Sequence, residues 1–221
     1  SLLASAGDES AGRVAAEALG RGAVRMGEAQ RKGLAYMADV VGQESLTDAY
    51  REAGVAIVHQ TGIEKAVIRS AAVLFENPDE AAKQLKSFEP LIDQRSAALL
   101  NEARAYYQLS ARRMKMSPVE PQTTDIEREA SKLIVERVGG QGRGAGGGGG
   151  ARGEGPAMSP EERAAYQAAQ RKVPQHMTAE LNILAARKMT VLEIRDFLSG
   201  EFEPLPLADF MEYARWQEKA G

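Results

Sequence analysis

Apolar positions recur at helical spacing over most of this chain, and the breaks between those stretches predict its elements. Residues 8 to about 41 read as one long helix, with Val14, Ala18, Ala23, Met26, Leu34, Met37 and Val41 as its apolar stripe. Asp8 and Glu9 sit in its first turn, where negative charge suits the helix dipole, and Gly42 is its stop. Gly20, Gly22, Gly27 and Gly33 weaken this helix by roughly 1 kcal/mol each against alanine, but they also let a neighbouring helix come close. A second helix is expected over 45–75, opened by Ser45 and Asp48. Val55, Val58 or His59, Gly62, Ala66 and Ile68 or Arg69 lie near one face, and Thr61-Gly62 marks a bend. Asn77-Pro78-Asp79 breaks and restarts the pattern. A third helix over 79–114, kinked at Pro90, would bury Leu85, Phe88, Leu91, Ile92, Ala98, Leu99, Tyr106 and Leu109. Three such helices with short loops make an antiparallel bundle over residues 1–116.

Residues 117–175 form a linker region. SPVEPQTT is an extended connector, and a short helix spans Asp125 to Val138. The segment 139–156 then holds 11 of the chain's 22 glycines and no apolar anchor, which makes it a flexible linker or exposed loop. Ser159 caps the next helix, with Pro160 at its first position and Glu161-Glu162 facing the dipole; Val173-Pro174 ends it.

Residues 176–221 have the clearest periodicity. Leu181, Leu184 and Ala185 mark one short helix. Val191, Ile194, Phe197, Leu198 and Phe202 mark a second, opened by a Thr190-x-x-Glu193 capping box. Leu207, Phe210, Met211 and Ala214 mark a third, entered at Pro206. The fold class is therefore all-α: a helical bundle, a Gly-rich linker and a small winged-helix-like, helix-turn-helix tail without a visible wing. The chain stops at Gly221, where a winged helix would continue into its β-wing, so either the wing is absent or the molecule was cut.

Aromatics make up only 5% of the chain and alanine supplies much of its apolar content, so the core should be modest in area. A net charge of −3 argues against general affinity for nucleic acid or anionic membrane. No apolar run is long enough to span a bilayer. Cysteine is absent, which removes disulfides and thiolate chemistry. The opening SLLASAG is too short for a whole signal peptide and fits the residues that follow a cleavage or an expression boundary.

Candidate chemistry is sparse. Gly142-Arg143-Gly144-Ala145-Gly146-Gly147 matches GxGxxG in form, but it follows a helix and lies in a glycine run, where chance matches abound. His59 and His176 are the only histidines, too few for a zinc site by themselves. His59 reads as a half-buried helix residue and His176 as a loop residue facing solvent. Glu161, Glu162, Glu201 and Glu203 form no acid–base constellation. Met177, Met189 and Met211 read as core filler. Tyr106, Tyr107 and Trp216 are candidates for an interface, with Trp216 partly buried in its own domain. The tail invites a DNA-binding reading, yet from His176 onward it carries eight acids against five bases. On these residues, no catalytic, cofactor-binding or metal-ligating position is assigned.

One resemblance goes further. Asn182-Ile183-Leu184, Arg187-Lys188, Thr190, Glu193-Ile194-Arg195-Asp196, Ser199, Glu201-Phe202, Pro204, Pro206-Leu207, Glu212-Tyr213 and Glu218-Lys219-Ala220-Gly221 form a run. This run resembles the C-terminal region of some secreted family-28 zinc metallopeptidases, the di-zinc aminopeptidases. The alanine-rich, Arg-punctuated helices before it are similar in composition to the helical region between peptidase core and tail. The resemblance implies a non-catalytic accessory module or processed chain of a larger peptidase, with structural, access-shaping or oligomerising roles. Zinc would then belong to the associated peptidase domain, since no stretch here matches that family's His, Asp and Glu ligands. The partner would be that catalytic domain or a second copy, and the compartment periplasmic or extracellular. Two other classes stay open: a helix-turn-helix DNA-binding regulator, and a helical protein–protein adaptor.

Overall fold

A computed structural model describes residues 2–40, 42–135 and 158–220. Among them the regular elements are helices, with one isolated antiparallel bridge between Ile134 and Thr190. The chain divides into two units, Ser1–Pro121 and Gln122–Gly221. The all-α expectation holds.

The first unit contains α1 (Leu2–Ala38), α2 (Gln43–Ser70) with a 3₁₀ turn (Ala71–Leu74), α3 (Pro78–Lys86) and α4 (Glu89–Arg113). Helix α1 begins earlier than its acids suggest, so Asp8 and Glu9 lie beyond its first turn. Gly42 caps the start of α2 in an extended conformation. Helix α2 runs unbroken through Thr61 and Gly62, and the Thr61 hydroxyl donates to the Ile57 carbonyl at 2.7 Å. The expected third helix is two. Asn77 caps α3 by accepting from the Glu80 N–H at 3.3 Å, and Pro90 sits in the first turn of α4, where its missing N–H costs nothing.

The buried stripe of α1 keeps the expected Met26 and Met37 but otherwise departs from the expected one. Ala11, Gly22 and Gly33 are buried at eleven-residue intervals, and so are Ala15, Met26 and Met37. Helix α2 repeats the interval with Leu46, Ile57 and Ile68. Eleven residues in three turns lies close to the natural helical period, so two long helices keep one face together with little supercoiling. The glycines set the contact. A Cβ on Gly33 would stand 2.5 Å from the Ala53 Cβ, and one on Gly22 would stand 2.7 Å from Glu64 Oε2. Ala23 is instead exposed and Leu34 half-buried. The stripe follows the closest backbone approach rather than the larger side chains. Gly20 and Gly27 have open space around them.

Helices α2 and α4 meet in an antiparallel ladder: as residue numbers rise on one, they fall on the other. Tyr50 stacks on Tyr107 at 4.6 Å, Thr61 shares a 2.8 Å hydrogen bond with Ser96, Lys65 pairs with Asp93 at 2.6 Å, and Arg69 donates to Glu89 at 2.6 and 2.8 Å. The expected face of α2 is displaced in part: Val58, Gly62 and Ala66 are exposed, while Ala53, Ile57, Thr61 and Glu64 are buried beside the expected Ile68. On α4 the expected Ile92 and Leu99 are buried, but Leu91 and Leu109 are exposed and Tyr107 takes the core position. The Tyr107 hydroxyl donates to the Val119 carbonyl and accepts from the Val119 N–H, which ties the extended connector onto this unit.

The second unit contains α5 (Asp125–Ala130), α6 (Pro160–Lys172), a 3₁₀ turn (Gln175–Met177), α7 (Thr178–Ala185), α8 (Val191–Glu201) and α9 (Leu207–Ala220). Here the expected apolar residues form the core: Leu181, Leu184, Val191, Ile194, Leu198, Phe210 and Met211 are buried. The helix from Asp125 ends at Ala130. Reciprocal capping boxes open α5 (Thr124 with Glu127), α6 (Ser159 with Glu162) and α8 (Thr190 with Glu193). The short helices α5 and α6, expected as parts of a linker, pack in this unit against α9.

Candidate functional site

Side chains of α8 hold the corner that leads into α9. Arg195 and Ser199 lie four apart on α8, hence on one face. The Arg195 Nε donates to the Leu205 carbonyl at 2.6 Å, and the Ser199 Oγ accepts from the Leu205 N–H at 3.0 Å. Both backbone groups of buried Leu205 are thus held by side chains of one helix face, which removes the cost of burying them unpaired. This clamp delivers Pro206 to the start of α9, where its carbonyl accepts from the Phe210 N–H at 3.1 Å. Pro206 therefore precedes the first helical residue rather than occupying it.

Neighbouring charges reinforce the corner. Arg195 also donates to Asp196 at 3.0 Å; burial nonetheless pushes the Asp196 carboxyl above its ordinary range, against the pull of that arginine. Bonds from the backbone and hydroxyl of Thr190 hold the Glu193 carboxylate below its ordinary range. Lys172 of α6 reaches Asp209 at 2.9 Å and Glu212 at 2.7 Å on α9, and hydrogen bonds to both raise its pKa. Arg215 of α9 reaches Glu129 of α5 at 2.6 Å.

Buried charge in the first unit is likewise engaged between helices. Glu64 is nearly inaccessible, with its side chain 3% exposed, and accepts from Arg25 Nε and Nη2 at 2.7 and 2.5 Å and from Gln60 at 2.5 Å. Gln30 donates to Glu102 at 2.7 Å. The Arg69 guanidinium holds the Glu89 carboxylate below its ordinary range. A buried Glu64, Thr61–Ser96 pair and Gln30 are not visible as periodicity. Their only sequence trace is polar residues spaced three or four apart inside a helical stretch.

The candidate residues are dispersed. His59 is half-buried on α2. His176 is exposed in the second unit, 3.1 Å from Glu203 and edge-on to Phe202. Glu162 and Glu193 serve as caps; Glu161 and Glu201 are exposed. Met177 and Met211 are buried and Met189 half-buried. Tyr106 is half-buried, and half-buried Trp216 has Lys219 over its ring at 4.7 Å. The Gly142–Gly147 pattern lies outside the described residues. Among the described residues no group of three or more His, Cys, Asp and Glu side chains could hold a metal ion, and no helix is long and apolar enough to cross a membrane. The chain matches no protein-family model, no curated protein and no solved structure.

Proposed function

We propose that this chain is a non-catalytic helical module that accompanies a zinc aminopeptidase-type metallopeptidase domain, supporting it or shaping access to its site. The observation that carries this reading is the use to which the metallopeptidase-like run is put. Thr190 and Glu193 start α8, Arg195 and Ser199 clamp Leu205, and Glu212 takes Lys172, so the resembling residues are those that shape a small helical unit. Residues engaged in building such a unit suit a support rather than a reacting centre. The winged-helix-like description of the tail and the bundle description of the first unit are parts of the same proposal. Zinc would reside in the peptidase domain. The test is hydrolysis of aminoacyl anilides by the purified chain with added zinc: none is expected, and zinc-dependent turnover would refute the non-catalytic reading.

A second reading, a helical adaptor, draws on Val73 and Leu74, which are 76% and 77% exposed in the turn after α2. Light scattering with and without a peptidase domain separates the two: a stable complex favours the accessory role. The acidic balance of the tail disfavours the DNA-binding alternative.

A further inference from the structure

Within the first unit, a trough of about 230 Å³ lies over α2 between α1 and α4. Leu19 and Met26 line it from α1, Leu91 and Ile92 from α4, and Ile68 from α2. Two charged residues also line it, Glu64 and Arg95. They are not equivalent. Glu64 is held by Arg25 and Gln60, so that group presents no net negative charge. Arg95 is exposed and forms no ion pair among the described residues. We propose that this trough binds an anionic acyl chain of the fatty-acid class, with the chain along the apolar walls and the carboxylate on Arg95.

Three features select this ligand. The lining is almost wholly apolar, as ligand sites generally are, with one free polar group to fix orientation. The volume falls short of the roughly 300–1,000 Å³ typical of drug-sized ligands, which favours a flexible chain over a ring system. A carboxylate gives Arg95 a two-pronged, charge-assisted partner, whereas a cationic head would leave it unpaired and repelled. Gly22 and Glu64 line the trough side by side, and a side chain on Gly22 would press into Glu64, so this glycine permits the close approach of α1 and α2 there.

The test is calorimetric titration of the full chain with octanoate, decanoate, decanol and decylamine below micelle-forming concentrations. Each buried methylene contributes about fourfold in affinity, so decanoate is expected to bind about fifteenfold tighter than octanoate. Decylamine should bind at least tenfold more weakly than decanoate. Arg95→Gln should weaken decanoate about tenfold while leaving decanol unchanged, and Arg95→Lys should recover part of the loss. Ala23→Leu, which adds bulk from an exposed position on α1, should weaken decanoate and decanol alike. Arg95 is exposed, so the Arg95→Gln melting curve serves as a check that the fold is intact. Equal binding of decanoate and decylamine, or an unchanged decanoate affinity in Arg95→Gln, would overturn the proposal. So would failure of every chain to saturate. An amphipathic helical peptide that saturates the trough when decanoate does not would assign it to a protein partner and likewise overturn it.

Discussion

Both units bury large apolar side chains, but they differ in how their helices meet. In the first, alanine and glycine bring α1 and α2 into close approach, and paired polar groups fill the positions where helices meet. In the second, Leu, Ile, Val, Phe and Met supply the buried volume, and three capping boxes hold the starts of short helices. A core built on close approach is vulnerable to added volume, because its backbones already touch. A core built on large side chains is vulnerable to lost volume, because its short helices have little else to join them. The difference teaches that apolar content alone does not report how a helical unit is held together.

Added volume should therefore be felt most where α1 and α2 touch, and lost volume or a lost cap among the short helices of the second unit. The largest effect is expected for Leu198→Ala, which empties a fully buried site in the second unit at about 3 kcal/mol. Chemical denaturation followed by circular dichroism would read it as an early transition of that unit; a loss below 1 kcal/mol would contradict the account. Next comes Gly33→Ala. Alanine is the better helix former, yet the new methyl would meet Ala53 backbone and Cβ, and about 2 kcal/mol should be lost. A gain in stability would show that α1 and α2 can separate freely.

A smaller effect belongs to Thr190→Ala, about 1 kcal/mol from the lost cap. Its dependence on pH sharpens the comparison. The folded Glu193 carboxylate lies below its ordinary value of 4.5, so its stabilising share is complete above that value and is lost as pH falls through the lower folded value. The gap in melting temperature between Thr190→Ala and the parent chain should narrow from pH 7 to pH 3 by the share of the hydroxyl–carboxylate bond, and the rest should persist because the Thr190 hydroxyl still accepts from the Glu193 N–H; a gap that widens as pH falls would refute the capping account. The smallest effect is Gly27→Ala, expected to stabilise by about 0.7 kcal/mol, because nothing stands near the added methyl. Equal responses at Gly27 and Gly33 would dissolve the distinction drawn between glycines in contact and glycines in solvent.

The same contrast explains what could be read from the chain. Leu181, Leu184, Val191, Ile194, Leu198, Phe210 and Met211 are large, regularly spaced and buried, and Ser159-x-x-Glu162 and Thr190-x-x-Glu193 announce their helix starts, so the helices from α7 to α9 are legible, whereas the packing of α5, α6 and Leu205 with them is not. In the first unit the helices are legible but their faces only in part. One residue turns a helix by about 100°, so choosing Ala23 over Gly22, or Val58 over Ile57, misplaces those positions although Met26, Met37 and Ile68 are read correctly. When alanines surround the helix, periodicity gives no strong preference, and the decision falls to Gly33 against Ala53 and to Glu64 against Arg25, contacts that exist only after the helices meet. The Arg195–Leu205–Ser199 clamp was hidden for a different reason. Four-residue spacing on α8 is visible, but a loop backbone as the shared partner depends on how the chain returns into α9.

The proposed role rests on the second unit having been shaped as part of a larger peptidase. Intact mass of the native protein, with its N-terminus sequenced, tests this most directly. The account expects these 221 residues to be joined to, or cut from, a polypeptide that also carries a zinc-binding peptidase domain. A native protein that begins and ends near Ser1 and Gly221, made without a longer precursor, would contradict it.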